Sequence, residues 1–486
     1  MGTNWRFAII AALGGASMAV SAATCRVDFS KDIGKLRPEL HSSGFGAPVC
    51  SCPEWRLDDI RAMNFKAART HDWALINAGQ RVCDYFNIFP LVRLDATDPA
   101  NYHFAPTDYL LKRNREELGL DILFRLGTSI EHSGPKVHFN AGIPEDFDKV
   151  AEIFAGTVRH YNRGWANGFN WNIRYWEIWN EPEDGGTMWR LPEGALATVD
   201  AGARDARRRE MFVEFFVKCL KRLKAEFPDI KVGGPALLGV KWASEEWLRS
   251  ILAGCRAAGV APDFISWHAY RVEPREMIDD AALARRICDE YGFDKCELVL
   301  DEWHFLGEYT FDDFSSNSEI SRRRVWEGDG SHNGIDSSCF NLSFLSLAQT
   351  SALSQAYYYG CRHEGLWGYM DAQKRKFKVF YGLKMFGEFV RNFDILCEAS
   401  SDNDGVTVIA ARNAQTPAVV GAIITDYRAG ARELAVEVKG VPKHAPAYLW
   451  AHDKTRDFEC VPARFIDGRV ILPKADAGSA AFLLRF

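Results

Sequence analysis

The chain has 486 residues, 47% hydrophobic and 26% charged, with a formal net charge of -6. These proportions are those of folded globular proteins and exclude a disordered, collagenous or coiled-coil chain; one apolar run, at the N-terminus, excludes a polytopic membrane protein. A net negative chain gains little by releasing counterions from a polyanion, which argues against nucleic acid as a partner.

Arg6, the apolar stretch Phe7 to Val20 and then Ser21-Ala22-Ala23 read as a secretory signal with cleavage after Ala22 or Ala23. The expected location is therefore exported: periplasmic or extracellular, or lysosomal in a eukaryote. No membrane contact is expected after cleavage. The 12 cysteines all follow this segment, and no Cys-x-x-Cys pair suggests zinc or redox chemistry. Cys219 and Cys255 fall on apolar helix faces and read as buried thiols. Cys288 with Cys296 is the first pair to test as a disulfide.

Seven apolar runs ending in polar residues predict strands: Phe65–Asp72, Ile122–Gly127, Arg174–Glu181, Lys231–Leu237, Asp263–Tyr270, Glu297–Trp303 and Gln355–Arg362. An eighth, weaker strand is expected around Gly34–Gly46. Helical patterns separate them. Pro144-Glu145-Asp146 opens one, with Phe147, Val150, Phe154, Val158 and Tyr161 on one face. A second carries Phe212, Phe215, Phe216, Cys219, Leu220 and Leu223 and stops at Pro228; a third carries Trp247, Leu248, Ile251, Leu252 and Cys255, with Gly259 as its cap. Residues 311–336 read as a polar insertion, a candidate lid. After Phe393 the rhythm changes to short strands: Val406–Ala411, Ala418–Thr425, Glu433–Val438, Ala447–Trp450, Arg469–Leu472 and Ala480–Arg485. The predicted class is α/β: a signal peptide at 1–23, a (β/α)8 TIM barrel over 24–395 and an all-β sandwich over 396–486. Arg26–Phe29, within 24–40, is placed to add a strand to that sandwich and bring the chain ends together.

Two strand ends carry carboxyls. Arg174-Tyr-Trp-Glu-Ile-Trp-Asn-Glu-Pro182 ends in Asn180-Glu181, and Leu298-Val-Leu-Asp-Glu-Trp303 ends in Glu302. The C-terminal strand ends of a parallel barrel form its active face, and the spacing places Glu181 on strand four and Glu302 on strand seven. Two carboxyls converging there, one protonated and one ionised, meet the requirement for glycoside hydrolysis.

Trp179-Asn-Glu-Pro182, Val232-Gly-Gly-Pro-Ala236 and Pro262-Asp-Phe-Ile-Ser-Trp-His-Ala-Tyr270 resemble clan A retaining glycoside hydrolases, and among them family 39, the β-xylosidase and α-L-iduronidase family. The resemblance implies Glu181 as general acid/base and Glu302 as nucleophile. It matches Arg69 in Ala68-Arg-Thr-His71 to the strand-two arginine, His268 and Tyr270 to the strand-six pair, and Trp367 to the aromatic floor of the cleaved sugar's subsite. Leu300-Asp-Glu-Trp303 departs from the family's usual Thr-Glu, and the insertion at 311–336 is unfamiliar in it.

Asn180 is the expected partner of the sugar 2-hydroxyl, Tyr270 and Arg69 are expected to hold Glu302 ionised, and an apolar setting near Trp179 to keep Glu181 protonated. His71 and His132 are further candidates for sugar hydroxyls. Glu177, four positions before Glu181, reads as a deeper buried partner of Arg69 or Arg125. Glu183 reads as loop. Asp301, adjacent to Glu302, is expected to face the other way. No metal or cofactor is called for. The expected function is hydrolysis of an oligo- or polysaccharide through a covalent glycosyl-enzyme, and the resemblance implies a β-xylosidase-like activity. The alternatives are a transglycosylase or an inactive carbohydrate-binding protein on the same barrel. The oligomeric state is not legible.

Overall fold

The computed structural model describes residues 22–44, 54–73, 81–129, 142–191, 200–361, 365–431, 433–442 and 445–486. Strand β1 (Ala22–Lys35) comes first. Eight parallel strands then close a barrel: β2 (Ser42–Ser43), β3 (Ala67–Arg69), β4 (Asp121–Leu126), β5 (Tyr175–Ile178), β6 (Lys231–Leu237), β7 (Phe264–Arg271), β8 (Glu297–Phe305) and β9 (Gln355–Tyr358). Parallel strands are buried on both faces, so they read as continuous apolar runs; Ile122, Leu123, Phe124 and Leu126 of β4 are all buried. The seven expected runs each overlap a barrel strand. The eighth, β2, is two residues long and pairs with β3 and β9. So short a strand has almost no alternation to read, and Gly34 and Lys35 belong to β1 instead.

The helix expected from Pro144 begins at Phe147. Asp146 is its cap, and its side chain accepts from the Lys149 amide at 2.9 Å, satisfying a donor that the first turn leaves unpaired. The helices Ala201–Glu226 and Ala243–Ala257 bury the faces expected of them, and Gly259, at φ 67°, follows the second. The insertion contains two short helices, Phe311–Ser315 and Glu319–Trp326.

The C-terminal region holds β10 (Ile395–Ser401), β11 (Val406–Arg412), β12 (Val420–Asp426), β13 (Glu433–Lys439), β14 (Tyr448–His452), β15 (Asp457–Val461), β16 (Arg464–Ile466), β17 (Arg469–Leu472) and β18 (Ala480–Arg485). The six expected strands are present, with β10, β15 and β16 in addition. Together with β1 they form one sheet in the order β15-β14-β18-β12-β11-β10-β1-β13-β17-β16. β1 runs antiparallel to β10 and parallel to β13, and Phe29 meets the C-terminal Phe486 edge to face at 6.2 Å. The sheet curls around a core of Val27, Ala422, Val436, Leu449 and Phe482, while Ile409, Ala411, Ile423, Ala481 and Leu483 join the barrel's core. The period of 2 along each strand thus serves two interfaces. Cys219 and Cys255 are buried; Cys288 and Cys296 are neighbouring free thiols in hydrogen-bond contact. Among the described residues no helix is long and apolar enough to cross a membrane.

Candidate active site

Arg69 ends β3 fully buried inside the barrel. Its Nε donates to Glu177 Oε2 at 2.7 Å and its Nη2 to Asn180 Oδ1 at 2.7 Å; Nη2 also lies 2.9 Å from Asp301 Oδ2, and Nη1 lies 3.4 Å from Glu302 Oε2. Burial disfavours the charge on this guanidinium, but Asp301, Glu177 and Glu302 more than offset it and hold Arg69 above its ordinary value. Glu177 faces the barrel interior as strand alternation predicts, and its Oε1 accepts from Ser266 Oγ at 2.7 Å. Burial raises its carboxyl to about 7 in spite of Arg69.

Glu181 lies three residues past β5, in left-handed backbone at φ 45°, with its amide donating to Ala236 O at 2.9 Å. His268 Nδ1 lies 2.8 Å from Glu181 Oε1, and Nε2 lies 3.4 Å from Asp301 Oδ2 and 3.7 Å from Glu302 Oε2. Burial disfavours the imidazolium, but Glu302 and Asp301 outweigh it and hold His268 well above its ordinary value. Tyr270, two positions along β7 on the same face, donates its hydroxyl to Glu302 Oε1 at 2.5 Å. Burial pushes the Glu302 carboxyl up to about 7, against the pull of His268, Arg69 and Tyr270. One oxygen each of Glu181 and Glu302 and one nitrogen of His268 lie within 4.8 Å of one another.

Asp301 does not face away from Glu302. It is fully buried and turned to Arg69 and His268. The registers explain it: Trp267 pairs with Leu300 and His268 with Glu302, so Asp301 is the extra residue of a β-bulge, and the register with β9 slips over the same stretch. A bulge breaks the period of 2 and brings two consecutive carboxylates to one side.

Trp367 stands beside this cluster. It meets Tyr270 at 6.0 Å and Tyr359 at 5.1 Å, and is backed by His332 at 4.6 Å and Phe314 at 5.3 Å, both from the insertion. Phe311 covers Tyr270 edge to face at 5.2 Å. His71 is buried next to Asp72, whose carboxylate accepts from Tyr359 Oη at 2.9 Å. Burial holds His71 well below its ordinary value, so it is neutral. His132 lies outside the described residues. Glu183 is in the loop after Glu181, accepting from the Leu238 amide at 2.7 Å and Ser244 Oγ at 2.9 Å, and burial raises it to about 7. The sequence reading missed Asp72, Tyr359, His332, Phe311 and Phe314. Tyr359 and Asp72, each just past a barrel strand, were the findable ones; the others carry no periodic or motif signal.

The chain is similar to known proteins. The model for the Glycosyl hydrolases family 39 matches residues 24–301, more than half of the chain. A beta-xylosidase from Geobacillus stearothermophilus is 30% identical over 133 residues, which is 27% of this chain and 22% of the relative's length. A glucosidase from Croceicoccus marinus superposes with a TM-score of 0.73 at 20% identity, covering 96% of this chain and 99% of that one. A family 44 xyloglucanase from Paenibacillus polymyxa gives a TM-score of 0.60 at 12% identity, covering 96% and 99%. At these identities the two structures speak for the fold.

Proposed function

The chain belongs to the Glycosyl hydrolases family 39, and from that premise we propose that it cleaves glycosidic bonds with retention of configuration. The observation that carries the proposal is the approach of Glu181 and Glu302, with oxygens within 4.8 Å of each other. Retaining enzymes hold their carboxyls ~5–5.5 Å apart, and inverting ones need ~6.5–9.5 Å to admit a water. Glu302, with hydroxyl and guanidinium donors aimed at its carboxylate, is the nucleophile that attacks the anomeric carbon. Glu181 protonates the departing oxygen and then, deprotonated, activates the water that opens the glycosyl-enzyme. His268 Nδ1, 2.8 Å from Glu181 Oε1, is the side chain that orients this carboxyl. Four carboxyls here face one guanidinium and one imidazole, and such a cluster retains a proton that an isolated pair would lose.

Arg69 occupies Asn180 Oδ1 and so leaves Asn180 Nδ2 to donate to the sugar's 2-hydroxyl. Trp367 offers the ring on which the sugar stacks, with His71, Asp72 and Tyr359 as the polar rim. The beta-xylosidase relative makes an aryl β-xyloside the first substrate to try. Arg6 with the apolar run to Val20 supports export, and N-terminal sequencing of the secreted protein would read a start at Ala23 or Thr24.

Proton NMR of the first product tests the mechanism. Retention in the initial product is expected, and an inverted anomer would overturn the double displacement. Azide should rescue Glu181→Ala and Glu302→Ala with opposite anomers of the glycosyl azide.

A further inference from the structure

The loop that carries Glu181 is wound against its backbone preferences. Trp179, Glu181 and Trp189 have φ of 75°, 45° and 44°, a region that side chains with a Cβ occupy only when their surroundings enforce it. One buried side chain touches this loop at three carbonyls. Arg208, on the helix Ala201–Glu226, donates from Nη2 to Pro182 O at 2.6 Å, from Nη1 to Glu183 O at 3.4 Å and from Nε to Trp189 O at 3.1 Å. The indole of Trp189 answers with a 2.9 Å bond to Arg208 O. Gly185 leaves the space the guanidinium needs: a Cβ there would lie 2.6 Å from Arg208 Cζ. Asp205 at 2.9 Å and the Trp247 ring at 5.5 Å fix the fork from behind.

We propose that Arg208 is the positioning residue for Glu181, its planar fork holding the strained loop so that the carboxyl sits at the leaving oxygen. The proposal rests on the reading of Glu181 as acid/base. Lysine cannot replace it, because a single ammonium cannot address three carbonyls in one plane.

The test compares Arg208→Lys, Gly185→Ala and Glu181→Ala with the wild type on an alkyl glycoside and a dinitrophenyl glycoside, with and without azide, alongside thermal unfolding. Gly185→Ala displaces the guanidinium without removing it, so it keeps the test alive where Arg208→Lys does not fold. A displaced acid should cost ~10–100-fold in kcat/KM on the alkyl glycoside and less than ~3-fold on the activated one, which needs little protonation. Azide, which needs no base, should raise kcat on the activated substrate for both variants. Parallel losses on both substrates without an azide response, while Glu181→Ala does respond, would overturn the role of Arg208 and leave the acid/base reading standing. No response from Glu181→Ala itself would overturn both.

Discussion

In the proposed mechanism Glu302 must be ionised to attack, yet burial raises its carboxyl to about 7. The acid limb of kcat/KM should therefore lie near 7 rather than near the ~4.3 of an isolated glutamate. Tyr270→Phe removes a hydrogen bond that favours the ionised form, so the limb should move to higher pH. A pH–rate profile in which it stays put or moves down would refute that role of Tyr270. Glu177 is also raised to about 7. A group raised in the folded state contributes stability below its unfolded value of ~4.3 and loses it as pH rises through the folded one. The lead of the wild type over Glu177→Gln in Tm should then shrink between pH ~5 and ~8, and a lead that grows would contradict the sign. Arg69, Glu181, His268, Tyr270 and Glu302 were legible because each follows from a strand end and a motif. Asp301 was not, because a bulge is a property of pairing between strands and leaves no trace in the alternation of one.

At the scale of elements, the insertion after β8 turns from a polar loop into a wall of the site. Its helices have five and eight residues, too short for a helical period to show, so Phe311 and Phe314 read as isolated aromatic residues, and His332 lies in the turn beyond them. The long helices behaved otherwise: Phe212 to Leu223 present a face that recurs over several turns, and it is buried as read. Phe311 is half exposed yet covers Tyr270. Phe311→Ala should leave stability within ~0.5 kcal/mol, as surface changes do, and raise KM ~3–10-fold through the loss of ~1 kcal/mol of ring contact with the sugar or with Tyr270. An unchanged KM would remove the insertion from the substrate site.

For the whole molecule, the C-terminal sheet is tied to the active face and not only to the outside of the barrel. Tyr427, in the turn after β12, donates to Val272 O at 2.5 Å, just past the strand that carries His268 and Tyr270. Its neighbour Arg428 pairs with Asp336 at 2.8 Å and lies 5.5 Å over the Phe305 ring, and Ser479 donates to the same Asp336 at 2.7 Å. The sheet was legible from its short strands, and β1 from the segment Arg26–Phe29 that follows the expected signal. The brace was not, since nothing in Tyr427-Arg428 names partners 92 and 155 residues away. Truncation after Phe393 would remove β11, β12 and β18, uncover the barrel surface on which their inward sides pack, and leave strand β1 without either of its neighbours. An unpaired edge next to an uncovered apolar face is an aggregation template. The truncated chain should therefore collect in the insoluble fraction. The milder Arg428→Met should stay soluble and lose kcat/KM with little change in Tm, because a half-buried ion pair is worth only ~1 kcal/mol to stability, while its loss frees the insertion that walls Trp367. A soluble truncated barrel with full kcat/KM would show that the sheet contributes nothing to the site.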